Sequence, residues 1–484
     1  MRHFPTSVFA FLVLASSAAW GDIPLYPIPG TPLAFTLQGR VTANPGGSVT
    51  FRHSRFGVLY FSLDNVGIYK SQTTKEIADQ KLRKAVSKAD VDACLAAGSW
   101  ALHHGLLREF YEAASAAWKI DRTHPTVKRL AALKQKISAD VAASAEQERE
   151  IQEYVKPGKP MTFVRSKHFL LLHDTPTTKP SGSKWTRSEE RLRLLETVYE
   201  SYLMKFCLQG LELEVPKEHL KVVLFADKVD YLKLGDRSEM ELTKAAGFYH
   251  MKANTAVFYD QGTNEIFEVM DRLNKELQRG KQQAIKERSE DARDIVRFAN
   301  TIQLLTRVAR ENQDIEVVSH EATHHLAANT GLMPVGAPVP LWAAEGLATY
   351  FESPKDAAWS GIGAVNRQRL KWYRELALDR VHSDIDFIVS DQIFTLAAAD
   401  VAVVHAYGQA WALTHFLMER HFDKLVAYYR LIAQKRSKKR LPAKEYLGLF
   451  NQVFGKSKVG LDREWRQYMK SLKTDVESVL EENY

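Results

Sequence analysis

Residues 316–329 read EVVSHEATHHLAAN. Val317, Val318, Leu326, Ala327 and Ala328 supply apolar flanks, which predicts a buried helix around a polar centre. On such a helix His320 and His324, four positions apart, project from one face about one turn from each other. Two nitrogen ligands of one tetrahedral Zn²⁺ need that placement. Glu321 follows the first histidine, where a carboxylate can take a proton from water as general base. His325 points roughly 100° away from His324 and is not expected to be a ligand.

A second helix strengthens the pattern. Residues 340–352 read PLWAAEGLATYFE and place Glu345 twenty-one positions after His324. A catalytic zinc held by two histidines takes a third protein ligand and keeps one position for water, and a carboxylate from a following helix meets that need. Gly331 and the prolines at 334, 338 and 340 supply the turn that lets the two helices meet. Glu352, two turns beyond Glu345, is the rival ligand or else the neutraliser of a nearby base.

H-E-x-x-H followed by W-x-x-E-G-x-A-x-Y-x-E resembles the gluzincin metallopeptidases, in particular the aminopeptidase-N/thermolysin-type catalytic domain. More closely, HEATHHLAANTGL with PLWAAEGLATYFE resembles exported bacterial peptidase-MA-like proteins of unknown function. The likeness extends over about residues 160–475, with its specific motifs between 247 and 420. It implies one Zn²⁺ per chain on His320, His324 and Glu345, with Glu321 as the catalytic carboxylate. Asn329, five positions after the second histidine, matches a position commonly Asn in aminopeptidase-N relatives. Thr349 stands one turn beyond Glu345, where thermolysin-like enzymes place a carboxylate that orients a ligand histidine.

The resemblance also implies that Tyr407, in residues 406–417 (AYGQAWALTHFL), donates a hydrogen bond to the developing oxyanion. The other reading of Tyr407 is a residue that packs at a helix start, and His405 and His415 compete for the donor role. Gly247, Phe248 and Tyr249, within residues 247–259, match the family's exposed strand edge, which pairs with extended substrate backbone. GFYH stands where aminopeptidase N carries the Glu-containing motif that captures a free amino terminus, so aminopeptidase specificity is not implied.

The rest of the chain reads as α+β: a small N-terminal β and helical region, then a small mixed sheet, then a mainly helical half carrying the site. Residues 22–48, rich in Pro and Gly, read as an extended leader, and 49–69 as a short β segment. Helical periodicity covers 91–104, 106–120 and 126–137, and GLLREFYEAASAAWKIDRTHP resembles a single tetratricopeptide-type helix pair. Residues 22–155 are therefore expected to form a spacer, open to a protein partner. VKPGKP at 155–160 marks the boundary to a metallopeptidase-like domain, 156–484. Strands are expected at 168–173, 220–226 and 256–259, a helix at 188–206, and a charged, solvated helical insertion at about 263–312.

A basic start at Arg2, the apolar run of residues 7–15 and small residues up to Gly21 predict a signal peptide over 1–21. The protein is thus expected outside the bacterial cytoplasm, in the periplasm or beyond, with no membrane-spanning segment after processing. A net charge of +8 admits an acidic partner, but no nucleic-acid motif accompanies it. Cys94 and Cys207 are too few for a disulfide scaffold and read as two buried thiols. The leading expectation is hydrolysis of peptide or protein substrates. Two others share the same residues: a zinc-fold binding or scaffold protein without turnover, and a zinc amidase acting on cell-wall peptide cross-links.

Overall fold

A computed structural model describes residues 21–482, apart from 28–33, 45–46, 54–56, 63–65, 157, 181–182, 238–241, 244, 264, 289–290, 396–401 and 438. The signal-peptide reading of residues 1–20 lies outside the described residues. The architecture is α+β, as the sequence implied.

The chain opens with an antiparallel sheet of β1 (Gly21–Pro27), β2 (Ala34–Thr36), β3 (Gly39–Asn44), β4 (Ser48–His53), β5 (Gly57–Ser62) and β6 (Gly67–Ser71). Residues 22–48 are thus not an extended leader: β1 pairs through its backbone with both β2 and β6. Alternation along β4 and β5 turns Val49, Phe51, Leu59 and Phe61 inward.

Five helices follow: α1 (Thr74–Ser87), α2 (Val91–His103), α3 (Leu107–Ile120), α4 (Pro125–Ser138) and α5 (Ala145–Val155). They do not stand apart as a spacer. Leu102, Phe110, Leu130 and Ile137 share one apolar core with the helical half of the molecule.

The second sheet runs β10-β11-β9-β8-β7, built from β7 (Thr162–Arg165), β8 (Phe169–His173), β9 (Leu220–Phe225), β10 (Gly247–His250) and β11 (Thr255–Tyr259). β8, β9 and β11 are parallel neighbours, and β7 and β10 flank them antiparallel. The central strands are apolar on both faces because helices cover both. Phe169, Leu171, Val222, Leu224, Ala256 and Phe258 face α6 (Arg187–Leu208) and α9 (Ala292–Asn329). Their neighbours Leu170, Leu172, Val223, Phe225, Val257 and Tyr259 meet Ile151 and Val155 of α5 and Tyr231 and Leu234 of α7 (Lys228–Arg237).

The charged stretch at 263–312 holds α8 (Glu265–Glu287) and the first half of α9. It is not a detached, solvated insertion. α9 runs unbroken for 38 residues from this stretch into the HEATH segment. Its Leu304, Leu305 and Val308 form the floor on which the N-terminal sheet packs.

α10 (Leu341–Phe351) then lies across α9, and a short hairpin follows, β12 (Pro354–Lys355) with β13 (Ala358–Trp359). The remaining helices among the described residues are α11 (Arg367–Leu376), α12 (Ile385–Val389), α13 (Gln392–Thr395), α14 (Val403–Arg420), α15 (Phe422–Gln434), α16 (Ala443–Phe454), α17 (Val459–Ser471) and α18 (Asp475–Glu482). α10 and α14 approach so closely that a Cβ at Gly346 would come within 2.1 Å of Thr414 Oγ1. No helix among the described residues is long and apolar enough to cross a membrane. Cys94 and Cys207 are both buried and free.

Candidate metal centre

The centre forms where α9 and α10 meet. His320 Nε2 lies 3.1 Å from Glu345 Oε2 and 3.2 Å from His324 Nε2. His324 Nε2 lies 3.5 Å from the same carboxylate oxygen. These three side chains form a group able to hold a metal ion, and among the described residues no other His, Cys, Asp or Glu joins it.

α10 is aimed at α9 by a cap from far along the chain. Pro340 at its N-cap has no capping side chain, and Asp391 supplies the acceptor instead. Its carboxylate takes the Leu341 N–H at 2.9 Å and the Trp342 N–H at 3.0 Å. That satisfies two of the free donors of the first turn and places negative charge at the positive end of the helix.

Glu352, just past the end of α10, is fully buried and reaches back to the first histidine. Its Oε2 accepts from His320 Nδ1 at 2.7 Å. That bond fixes the proton on Nδ1 and leaves Nε2 free for a metal. Glu352 Oε1 accepts from Arg369 Nε at 2.6 Å and Asn366 Nδ2 at 3.2 Å. Arg369 Nη2 also reaches Glu316 Oε1 at 3.3 Å. Of the two sequence readings of Glu352, ligand or neutraliser, the geometry is that of a partner to His320 and Arg369.

Glu316 and Glu352 share the guanidinium of Arg369, while Glu321 and Glu345 stand with the two histidines. Burial raises the Glu321 carboxyl above its usual range, and the neighbouring histidines only partly offset it. Burial works against the charge on Glu345 as well, yet His324 and His320 hold it well below the usual carboxylate range. Burial likewise disfavours a charged His320, but the bonds to Glu345 and Glu352 outweigh it and push the imidazole well up. The cluster thus draws positive charge, either as a proton on His320 or as a metal ion among the three donors.

Tyr407 comes to this cluster from α14. Burial raises its phenol, and the charges of Glu345 and Glu321 raise it further. Its ring lies 5.4 Å from the Arg369 guanidinium and packs edge-on against Phe394. Gly247 of β10 packs against α9 beside Glu321: a Cβ there would lie 2.9 Å from Val317 Cγ1 and 3.0 Å from Glu321 Cγ. β10 is the edge strand of its sheet, so Gly247, Phe248 and Tyr249 run along the flank of the helix that carries Glu321.

Other sequence candidates lie elsewhere. Asn329 exchanges hydrogen bonds with Asn254 at 2.8 and 2.9 Å, and Tyr249 Oη donates to Asn254 at 2.8 Å. Asn329 therefore fastens the end of α9 to the β10–β11 turn. Thr349 donates to the carbonyl of Glu345 at 2.7 Å and orients no histidine. His325 stacks on Tyr249, His405 pairs with Glu375, and His415 is held by Gly363 and Tyr468.

Sequence reading missed Arg369, Asn366, Glu316 and Asp391. Only Glu316 carried a signal, because it lies one turn before His320 on the same helical face. A family model described as "Protein of unknown function (DUF1570)" matches residues 314–438, a span that contains the whole cluster from Glu316 to Tyr407. No curated protein and no solved structure matches the chain.

Proposed function

We propose that the protein is an exported zinc metallopeptidase of the gluzincin type. One observation carries the metal assignment: the donor atoms stand 3.1, 3.2 and 3.5 Å apart. Three atoms bound at about 2.0–2.1 Å to one tetrahedral centre stand roughly 3.3–3.4 Å from each other. Two imidazoles and one carboxylate fit zinc, and three protein ligands suit catalysis, whereas structural sites are usually closed by four. That contrast favours turnover over a scaffold role.

A zinc ion held there would acidify water and polarise a carbonyl. Glu321 takes the proton of the attacking water and returns that proton to the leaving amine. Tyr407 donates its phenolic hydrogen to the oxygen on which negative charge develops. β10 offers an edge for extended peptide backbone beside Glu321, which supports peptide as the substrate class. The apolar run of residues 7–15 and the small residues that follow support export.

The test is metal analysis of the purified protein together with digestion of a peptide library. About one zinc per chain and cleavage are expected from the wild type. Glu321→Gln should keep the zinc and lose roughly 10²–10⁴-fold in rate, while His320→Ala should lose both. Equal turnover by Glu321→Gln and wild type, with contaminating metal excluded, would rule out the mechanism. Zinc bound without cleavage would return weight to a binding role.

A further inference from the structure

We propose that Arg369 is the positioning residue of the metal centre: its guanidinium fixes Glu352 on His320 and seats the Tyr407 ring, so one half-buried cation sets both a ligand and the phenol. The inference rests on the zinc reading above. Its geometry is a chain of contacts, from Glu316 through Arg369 and Glu352 to His320, at 3.3, 2.6 and 2.7 Å. The guanidinium lies between two rings, 5.0 Å from Trp372 and 5.4 Å from Tyr407.

The local sequence builds this placement. Asn366 caps α11, its Oδ1 accepting from Gln368 N at 3.0 Å and Arg369 N at 3.1 Å. The same side chain donates to Glu352 Oε1, so the helix start and the Glu352 carboxylate are held by one residue. Glu352 thereby has both oxygens engaged and cannot swing towards the metal position. Its Oε2 remains aimed at His320 Nδ1.

Charge alone does not account for this arrangement. A lysine would neutralise Glu316 and Glu352 equally well. It has a single nitrogen, however, and no planar face to lie between Trp372 and Tyr407. A guanidinium spans two carboxylates with separate nitrogens while presenting its flat face to aromatic rings. The two roles therefore separate in Arg369→Lys, which keeps the charge and loses the fork.

The experiment measures zinc affinity by competition with a chelator of known affinity, the absorption spectrum of the cobalt-substituted protein, and the thermal midpoint. Arg369→Lys is expected to bind zinc about 10- to 100-fold more weakly, with a changed cobalt spectrum. An Arg369→Lys affinity and cobalt spectrum matching wild type would overturn the inference, even with a lowered thermal midpoint, because Arg369 would then serve only the fold. If Arg369→Lys does not fold, Glu352→Gln decides: unchanged zinc affinity there overturns the inference too. A wild type that takes up no zinc removes the zinc reading and this one together, whereas zinc uptake insensitive to both variants removes this one alone.

Discussion

Gly247 lies against Glu321 with no room for a side chain: a Cβ would fall 3.0 Å from Glu321 Cγ and 2.9 Å from Val317 Cγ1. The edge strand and the proposed general base are thus in direct contact, and the strand's position sets the side chain's. Gly247→Ala should displace Glu321 while leaving His320, His324 and Glu345 untouched. Turnover is expected to fall about 10- to 100-fold, since small misplacements of a reacting group cost that much. Zinc affinity should remain at the wild-type value. A loss of zinc in step with activity would show that the contact supports the fold of the centre, with no specific hold on the base.

The features legible in the sequence are those fixed within one helix. His320, Glu321 and His324 are related by helical spacing alone, and Glu345 sits in an apolar segment whose helix is plain from its own residues. Arg369 and Asp391 reach the centre only through tertiary packing, at no spacing that a helix or strand dictates. The strands between 21 and 44 were hidden because Pro and Gly depress strand propensity, while backbone pairing with β6 and β4 still forms the sheet. In α9 the surrounding charges masked Leu304, Leu305 and Val308, whose partners in the N-terminal sheet, such as Phe51 and Leu59, are far away along the chain.

The distant cap on α10 is open to measurement. Asp391 holds two N–H groups of the first turn and pairs with Arg440. Its own backbone sits at φ +68°, a conformation that asparagine tolerates and alanine does not favour. Asp391→Ala should cost about 1–2 kcal/mol of stability, seen as a lower urea midpoint. Asp391→Asn keeps one acceptor oxygen and the backbone preference, so it should cost clearly less. Equal losses in the two variants would assign the effect to the charge and the Arg440 pair, and would remove the capping argument.

His103 gives the fold a pH dependence of defined sign. It ends α2, and its Nε2 accepts from Lys205 Nζ of α6 at 2.7 Å, with Glu419 of α14 at 3.9 Å. Burial, then the Lys205 ammonium, lowers its pKa to about 4, with Glu419 opposing. The folded value is below the unfolded value of about 6.5, so the unfolded chain takes up this proton first. The contribution is therefore complete above pH 6.5 and is lost as pH falls towards 4, by up to about 1.4 kcal/mol per unit. A proton on His103 also removes the acceptor of Lys205 and sets two cations side by side at the junction of the N-terminal helices with the core. His103→Gln keeps an acceptor for Lys205 without a titrating group. Between pH 6 and 4.5 its urea midpoint should fall less steeply than that of the wild type. A buried histidine remote from this junction, such as His173, adds the same slope to both proteins and drops out of the difference. Parallel pH profiles for the two would show that His103 titrates alike in the folded and unfolded chains, and the junction would then not be acid-sensitive through this residue.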